Sequence, residues 1–234
     1  MKLKALIPKS FKLKYQLLKR NFNDRKIPFA TKSTEVIPFT YSISTSQEIK
    51  QGPFFENKIH NLKTGSKSIS SVTILPNHVF SFWKIVGSPD EQNGFKKGRN
   101  IVKGKVSEEI GGGLCQLSSI IYITALKANL EVLERYNHSV DIYKEEDRFT
   151  PLGADATVVY GYKDLRFRNN FDFPIRFNFT FTDNHQLVCH LESVEKMDEK
   201  QLDFIRHYKE NNIEVATHLN STFYCTSVYK TMEL

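Results

Sequence analysis

The feature that most constrains this sequence is a run of three glycines, Gly111, Gly112 and Gly113. They lead directly into an apolar stretch, residues 114–129, whose three-and-four spacing predicts a helix. Glycine loses much conformational freedom on folding, so three in succession are costly unless the turn needs positive φ or a close approach. The start of a helix carries unpaired N–H groups and partial positive charge. The sequence therefore predicts a glycine turn that opens a helix and favours an anion.

One thiol, Cys115, lies in the first turn of this predicted helix. Such a position lowers the pKa of a thiol and favours the reactive thiolate. His138 and Asp155 follow, at the predicted end of one strand and the predicted start of another. A thiol nucleophile needs a base, and the base needs a third group that holds its tautomer. We therefore predict Cys115 as nucleophile, His138 as base and Asp155 as the orienting group, in the chain order of papain-like and transglutaminase-like enzymes.

An oxyanion formed in such a reaction could be stabilised by Gln116 and by the backbone N–H groups after the glycines. The alternative is a binding module without catalysis, in which the same turn holds a carboxylate or phosphate. Its predicted ligand-binding residues are Gly111, Gly112, Gly113, Ser118, Arg135 and Ser139. Each member of the predicted triad also has a structural interpretation, since a lone cysteine on an apolar helix is usually a small buried hydrophobe.

The order of the predicted elements indicates an α+β fold, with N-terminal helices and the central glycine turn and helix packed on a mostly antiparallel sheet. The clearest strand signal is the alternation of apolar and polar residues over residues 175–181, with a partner at residues 187–191. Further strands are predicted at residues 36–44, 79–83, 131–134, 155–160, 165–168 and 223–229, and a hairpin is predicted around Gly104. Helices are predicted at residues 59–72, where Asn57 could be the cap, and at residues 202–208.

Residues 1–34 are predicted to form a basic amphipathic arm, before a core at residues 35–195 and a C-terminal extension at residues 196–234. The arm holds nine Lys and Arg residues between Lys2 and Lys26, against a formal net charge of +7 for the whole chain. One interpretation is a helix that binds an anionic membrane surface as a scaffold. The other is a solvated extension that packs locally. We expect no nucleic-acid partner, because no recognised motif accompanies the charge.

Cysteine usage and the N-terminal composition restrict location and cofactors. Three cysteines without a CxxC pair indicate neither a disulfide framework nor a structural zinc site, and we expect no metal and no cofactor. Lys9, Lys12 and Lys14 interrupt any apolar h-region, so we expect no secretory signal peptide. The expected location is the cytoplasm, with peripheral association at the inner face of the membrane through the arm.

Four segments of the sequence resemble the VanW family: residues 80–87, 110–118, 133–139, and 155–158 together with 162–165. The family takes its name from vancomycin B-type resistance gene clusters, in which its member is regarded as accessory. The resemblance implies a cell-envelope context. Combined with the predicted triad, it leads us to expect acyl transfer or hydrolysis on a cell-wall peptide or its precursor, with a carboxylate- or phosphate-binding module as the alternative.

Overall fold

The computed structural model describes residues 8–33, 36–102, 105–141 and 148–231. This part of the chain contains four helices, which are α1 (Lys9–Asn23), α2 (Phe55–Ser70), α3 (Phe82–Val86) and α4 (Leu114–Lys127). Its strands are β1 (Thr31–Lys32), β2 (Tyr41–Glu48), β3 (Val72–Thr73), β4 (Val79–Ser81), β5 (Lys97–Val102), β6 (Lys105–Ile110), β7 (Glu131–Glu134), β8 (Val140–Asp141), β9 (Arg166–Arg168), β10 (Ile175–Phe181), β11 (Gln186–Ser193), β12 (Leu202–Tyr208), β13 (Asn212–Leu219) and β14 (Thr222–Thr231). The predicted α+β class is confirmed.

The strands form several small sheets that are almost entirely antiparallel. Strand β11 lies between β10 and β2, and β9 lies between β4 and β7. A four-stranded sheet has the order β12, β13, β14, β8, in which only the contact of β14 with β8 is parallel. Strands β5 and β6 form a hairpin, and β1 pairs with β3. Helices and strands alternate along the chain, whereas the sequence suggested helices first and the sheet after them.

Helix α4 lies at the centre of the main core. It contacts β2 and β11 on one side and α2 on another, and α2 in turn packs on β10. Nearly every side chain from Leu114 to Leu126 is buried. A helix that is apolar on all sides needs such enclosure, because an exposed apolar face would be left in water. The first turn of α4 is therefore held rigidly by the surrounding sheet and helix.

An aromatic cluster fixes β4 against β9 and β10. Phe80 stacks on Phe167 with ring centroids 4.5 Å apart, and Phe177 lies 5.8 and 5.5 Å from these two rings. All three side chains are buried. Burial of a ring of this size contributes roughly 2–3 kcal/mol relative to an exposed ring. The cluster therefore holds strands β4, β9 and β10 together.

The C-terminal sheet has its own small core. Leu152, Ile213, Val215 and Tyr229 form a second buried cluster, against which Phe204 packs. Because Leu152 belongs to the segment between β8 and β9, this cluster attaches the C-terminal sheet to the central part of the chain. The predicted division into arm, core and extension stays a prediction.

Several predicted elements are confirmed, with shifts at their ends. The helix after the glycines, the strand at residues 131–134 and the pair β10–β11 are present. The hairpin predicted around Gly104 is present as β5 and β6, although Gly104 itself lies outside the described residues, as do residues 1–7 of the arm. The first strand begins at residue 41 rather than at residue 36. The predicted residues that the strand leaves out include Pro38, which has no N–H to donate to a sheet.

Two local predictions are wrong at helix starts. Helix α2 begins at Phe55 after a left-handed Phe54, and the side chain of Asn57 donates to the carbonyl of Lys97 instead of capping the helix. The predicted strand at residues 79–83 ends at residue 81, because the Ser81 hydroxyl accepts a hydrogen bond from the backbone of Lys84 and starts α3.

Two further predictions are wrong in type. Residues 202–208 form strand β12, since their pairing with β13 outweighs the weak helical spacing. Residues 155–160 form no strand, and their one ladder contact is an isolated bridge between Val159 and Lys163. The backbone of this segment is bound to side chains of α4 instead, at Ser118 and Ser119.

We expect Phe80→Ala to destabilise the fold by about 3–5 kcal/mol, because it leaves a cavity between two buried rings. Phe11→Ala is the matched control: Phe11 is 66% exposed, and its loss should change the free energy of unfolding by less than about 0.5 kcal/mol. The measurement is the urea unfolding midpoint of each variant. Equal shifts for both variants would contradict the assigned core.

Candidate active site

A cavity of about 1150 Å³ opens at the N-terminus of α4. The glycine turn and the first residues of α4 form one wall, and residues of the segment between β8 and β9 form another. Lys9 and Leu13 of α1 also line it. The three predicted triad residues are all among the lining residues. The cavity therefore has room for a peptide-sized ligand beside the thiol.

Glycine is required in this turn both by the backbone conformation and by the close packing of neighbouring atoms. Gly111 and Gly113 have φ values of +89° and +102°, in the left-handed region that side chains rarely adopt. A Cβ at Gly111 would lie 2.9 Å from the Cβ of Pro89. Gly112 packs against Gly98, where an added Cβ would lie 3.0 Å from the Gly112 Cα. Gly111 and Gly113 line the cavity, and Gly112 supports them from behind.

The turn leaves a backbone donor at the thiol. The N–H groups of Gln116 and Leu117 both donate to the carbonyl of Gly113, at 2.9 and 3.2 Å. Within the described part of the chain, the backbone N–H of Cys115 has no hydrogen-bond acceptor. Unpaired donors of this kind are typical of the first turn of a helix. The Cys115 N–H can therefore bind an anion that forms next to the sulfur.

The structure brings Cys115, His138 and Asp155 together. The Nδ1 atom of His138 lies 2.6 Å from Oδ2 of Asp155, and the backbone N–H of His138 donates to the same oxygen, also at 2.6 Å. The imidazole also interacts with the Cys115 thiol and shifts its pKa, and Nε2 is the ring nitrogen that Asp155 leaves available for this interaction. The sulfur lies 3.8 Å from the carbonyl oxygen of Val158. The order thiol, imidazole, carboxylate is that of a catalytic triad.

Asp155 is held by a buried network behind the imidazole. Its second oxygen, Oδ1, accepts from the hydroxyl of Tyr229 and lies 3.2 Å from the guanidinium of Arg135. Arg135 also donates to the backbone oxygens of Asp155 and Gly153, at 2.7 and 2.9 Å, and to the hydroxyl of Ser227 at 2.6 Å. Its side chain is 9% exposed. The donors of Arg135 are thus engaged by protein acceptors, and its ligand-binding role stays a prediction.

The electrostatics of the three residues favour an ion pair. Burial by itself would raise the pKa of the Cys115 thiol, but the hydrogen bond and charge of His138 outweigh burial and lower that pKa. Burial would lower the pKa of His138, yet its hydrogen bonds to Asp155 and Cys115 raise that pKa to about 10. The pKa of Asp155, which burial would raise, lies below its ordinary value because His138 donates to it. The lowered pKa of the thiol and the raised pKa of the imidazole favour the thiolate–imidazolium form of the pair.

Of the remaining predicted site residues, Gln116 and Ser118 have side chains bound to the protein backbone, whereas Ser139 faces the cavity. The Gln116 side chain donates to the carbonyl of Glu48 at 2.8 Å, so its amide nitrogen is engaged by the backbone, and the Cys115 N–H is the better placed oxyanion donor. Ser118 is buried and donates to the carbonyl of Ala156 at 2.5 Å, which gives it a structural contact rather than a ligand contact. Ser139 is exposed and lines the cavity, and its ligand-binding role stays a prediction.

Sequence reasoning missed the contribution of the C-terminal sheet. Tyr229, on β14, both donates to Asp155 and accepts from the backbone N–H of Gly153 at 2.7 Å. Ser227, on the same strand, binds Arg135. The sequence predicted a strand here, but a strand alone does not indicate which distant residue its side chains reach. The one signal in the sequence was that Ser227 and Tyr229 are two residues apart, which places both polar side chains on the same face of a strand.

The described residues contain neither a metal-binding cluster nor a helix that could span a membrane. In residues 8–33, 36–102, 105–141 and 148–231, His, Cys, Asp and Glu side chains form no group of three or more that could hold a metal ion. Among the helices of this same part, none is both long and apolar enough to cross a bilayer.

Comparison with known proteins places the chain in a family. The profile of the family described as VanW like protein matches residues 57–191, which is more than half of the 234 residues. The chain belongs to the VanW family. The resemblance seen in the sequence is thereby confirmed, and all three triad residues lie inside the matched region.

Two relatives are each about one-third identical to this chain over the residues that align. Uncharacterized protein YoaR of Bacillus subtilis (strain 168) is 36% identical over 137 residues, which are 57% of this chain and 44% of the relative. Vancomycin B-type resistance protein VanW of Enterococcus faecalis (strain ATCC 700802 / V583) is 35% identical over 117 residues, which are 50% of this chain and 42% of the relative. The match therefore spans less than half of either relative. No solved structure matches this VanW-family chain.

The ion pair predicts selective thiol chemistry. We expect iodoacetamide to label Cys115 at about pH 6, where an ordinary thiol with a pKa near 8.5 is almost fully protonated. His138→Ala should slow this labelling at least tenfold or so, because burial then raises the thiol pKa without compensation. The measurement is the modified fraction of each cysteine peptide by mass spectrometry, as a function of pH.

Cys189 is the internal control for this titration, because burial raises the pKa of its thiol to about 12. It should stay unlabelled across the same range. Labelling of Cys115 that rises only near the ordinary thiol pKa, and that His138→Ala leaves unchanged, would contradict the ion pair.

Proposed function

We propose that this protein is a cysteine-dependent enzyme that hydrolyses or transfers an acyl group of a cell-wall peptide or its precursor. The observation that carries the proposal is the grouping of Cys115, His138 and Asp155 in an open cavity at a helix start, with His138 hydrogen-bonded to Asp155. A buried structural cysteine would need neither the imidazole nor the buried carboxylate behind it. Perturbed titratable groups in a cavity are typical of functional sites.

In the first step, the Cys115 thiolate attacks the carbonyl carbon of an amide or ester. A C–S bond forms, and the carbonyl π electrons move onto the oxygen, which the free backbone N–H of Cys115 stabilises. The tetrahedral intermediate then collapses and breaks the bond to the leaving amine or alcohol. His138, already protonated, gives its Nε2 proton to that leaving group. The product is a thioester on Cys115 and a neutral imidazole.

In the second step, water or an acceptor amine attacks the thioester. His138, now neutral, takes a proton from the attacking group, and the second tetrahedral intermediate expels the Cys115 thiolate. Asp155 keeps Nδ1 protonated throughout, because its carboxylate accepts from that atom and is itself fixed by Tyr229 and Arg135. Hydrolysis and transfer differ only in which group attacks the thioester.

The substrate class is supported by the cavity lining and by a relative. The cationic side chains of Lys58, Lys97 and Lys163 line the cavity, and such groups favour the carboxylates that cell-wall peptides carry. One relative bears the name Vancomycin B-type resistance protein VanW. The family resemblance implies a cell-envelope context, and on this ground we propose a cell-wall peptide or its precursor as substrate.

A binding module without turnover is the second candidate. It is favoured by the same lysines and by the unpaired N–H at the start of α4, which together suit a carboxylate or phosphate. In this candidate the Cys115 sulfur contacts the ligand but forms no bond to it. The two candidates differ in whether an acyl-enzyme accumulates.

The deciding experiment is incubation of the full chain with soluble cell-wall peptides and their amide and ester analogues. We expect a mass increase on Cys115 equal to the acyl fragment, together with release of the leaving group. Cys115→Ala should abolish release, and His138→Ala should reduce the rate by roughly 10²–10⁴-fold, since general acid–base catalysis is worth about that much.

Cys225→Ala is the matched control, because Cys225 is a free thiol outside the cavity lining and its loss should leave the rate unchanged. Saturable binding of the same peptides with no acyl-enzyme and no product, in the wild type, would contradict the enzyme and support the binding module.

A further inference from the structure

Helix α1 has two faces with different partners. Its inner face is bound to the end of β7 and to the loop that follows Val158: Arg20 donates to Glu134 at 3.0 Å and to the carbonyl of Tyr162 at 2.8 Å. Leu13 lies directly over Gly161, where an added Cβ would be 2.4 Å from the leucine Cδ1. The helix is therefore fixed in orientation relative to the core.

A second ion-pair group fixes the C-terminal end of this helix. Asp24, which follows α1, is 8% exposed and accepts two hydrogen bonds from the guanidinium of Arg166, at 2.8 and 3.0 Å. Lys84 lies 3.1 Å from the same carboxylate. Contacts along the helix and at its C-terminal end leave α1 little freedom to turn its other side inward.

The outer face of α1 is a largely exposed apolar stripe, in which only Phe22 has a ring contact among the described residues, with the guanidinium of Arg25 4.3 Å from its centroid. Phe11, Tyr15, Leu18 and Phe22 follow at four-, three- and four-residue intervals, which places them on one line along the helix. They are between 63% and 69% exposed. Soluble proteins seldom expose contiguous apolar surface of this kind unless it is an interaction site.

Cationic residues flank the stripe on both sides. By helical spacing, Lys14 lies along one edge of the stripe, and Lys12 and Lys19 lie along the other. Residues 9–23 contain no Asp and no Glu. Lysines in these positions keep their ammonium groups at the level of lipid phosphates while their alkyl stems cover apolar surface. A second copy of the same helix would instead bring like charges together.

We propose that the outer face of α1 docks onto an anionic membrane surface, with the four apolar side chains in the interface and the lysines on the lipid phosphates. This inference is independent of the proposed function, since it needs no turnover. The proposed partner is an anionic lipid bilayer. Its apolar interior suits the line of apolar side chains, and its phosphate layer suits the lysines along both edges. The same helix lines the cavity through Lys9 and Leu13, so docking would hold the cavity beside the lipid headgroups.

The test is cosedimentation of the full chain with vesicles made of phosphatidylglycerol and phosphatidylcholine in about equal amounts, and with phosphatidylcholine vesicles alone. We expect binding to the anionic vesicles that weakens as the ionic strength rises from about 0.1 to 1 M, because salt screens the lysines. Leu18→Ser with Phe22→Ser should lower the partition coefficient at least about tenfold. Lys14→Gln with Lys19→Gln should lower it roughly 25-fold, about fivefold for each charge.

The matched control is Ile205→Ser with Tyr208→Ser, which removes two apolar residues of β12 that are 48% and 71% exposed. It should bind vesicles like the wild type. All variants should retain the wild-type circular dichroism spectrum and Cys115 labelling, since the changed side chains are exposed. Unchanged binding by the stripe variant, or equal binding to neutral vesicles, would overturn the proposal. So would a dimer in vesicle-free solution that the stripe variant converts to monomer.

Discussion

The site depends on the hydrogen bond between His138 and the buried carboxylate of Asp155. A buried carboxylate is costly unless it is paired and hydrogen-bonded, and here Tyr229, Arg135 and the backbone of His138 provide those partners. In return the carboxylate stabilises the charged imidazole, and the imidazole stabilises the thiolate. Removing one partner would leave a buried charge uncompensated, so these groups act as a unit.

Parts of the chain far apart in sequence meet around this unit. The region matched by the VanW family supplies the thiol, the imidazole and the carboxylate. The C-terminal sheet supplies Tyr229, which fixes the carboxylate from behind. Helix α1 supplies Lys9 and Leu13 to the rim of the cavity and is bound to the loop beside Val158. The segments outside the family region thus shape the cavity and hold the orienting group.

The sequence allowed prediction of features that local chemistry determines. Three glycines before an apolar run determine a left-handed turn and a helix start, and the thiol follows directly. The contacts of Arg135 could not be predicted, because they depend on a long loop and on a strand about 90 residues later in the chain. The same reason explains residues 202–208: their helical spacing was weak, and pairing with β13 determined a strand.

The most direct test of this account is the charge of the His138 ring, measured by ¹⁵N NMR of the labelled full chain as the pH is raised. The account predicts that both ring nitrogens stay protonated through neutral pH, and that the ring loses its proton only near pH 10. Asp155→Asn should move this transition to lower pH, because the main hydrogen bond that raises the pKa of His138 is weakened. A ring that titrates near its ordinary pKa of about 6.5 in the wild type would contradict the ion pair and the chemistry built on it.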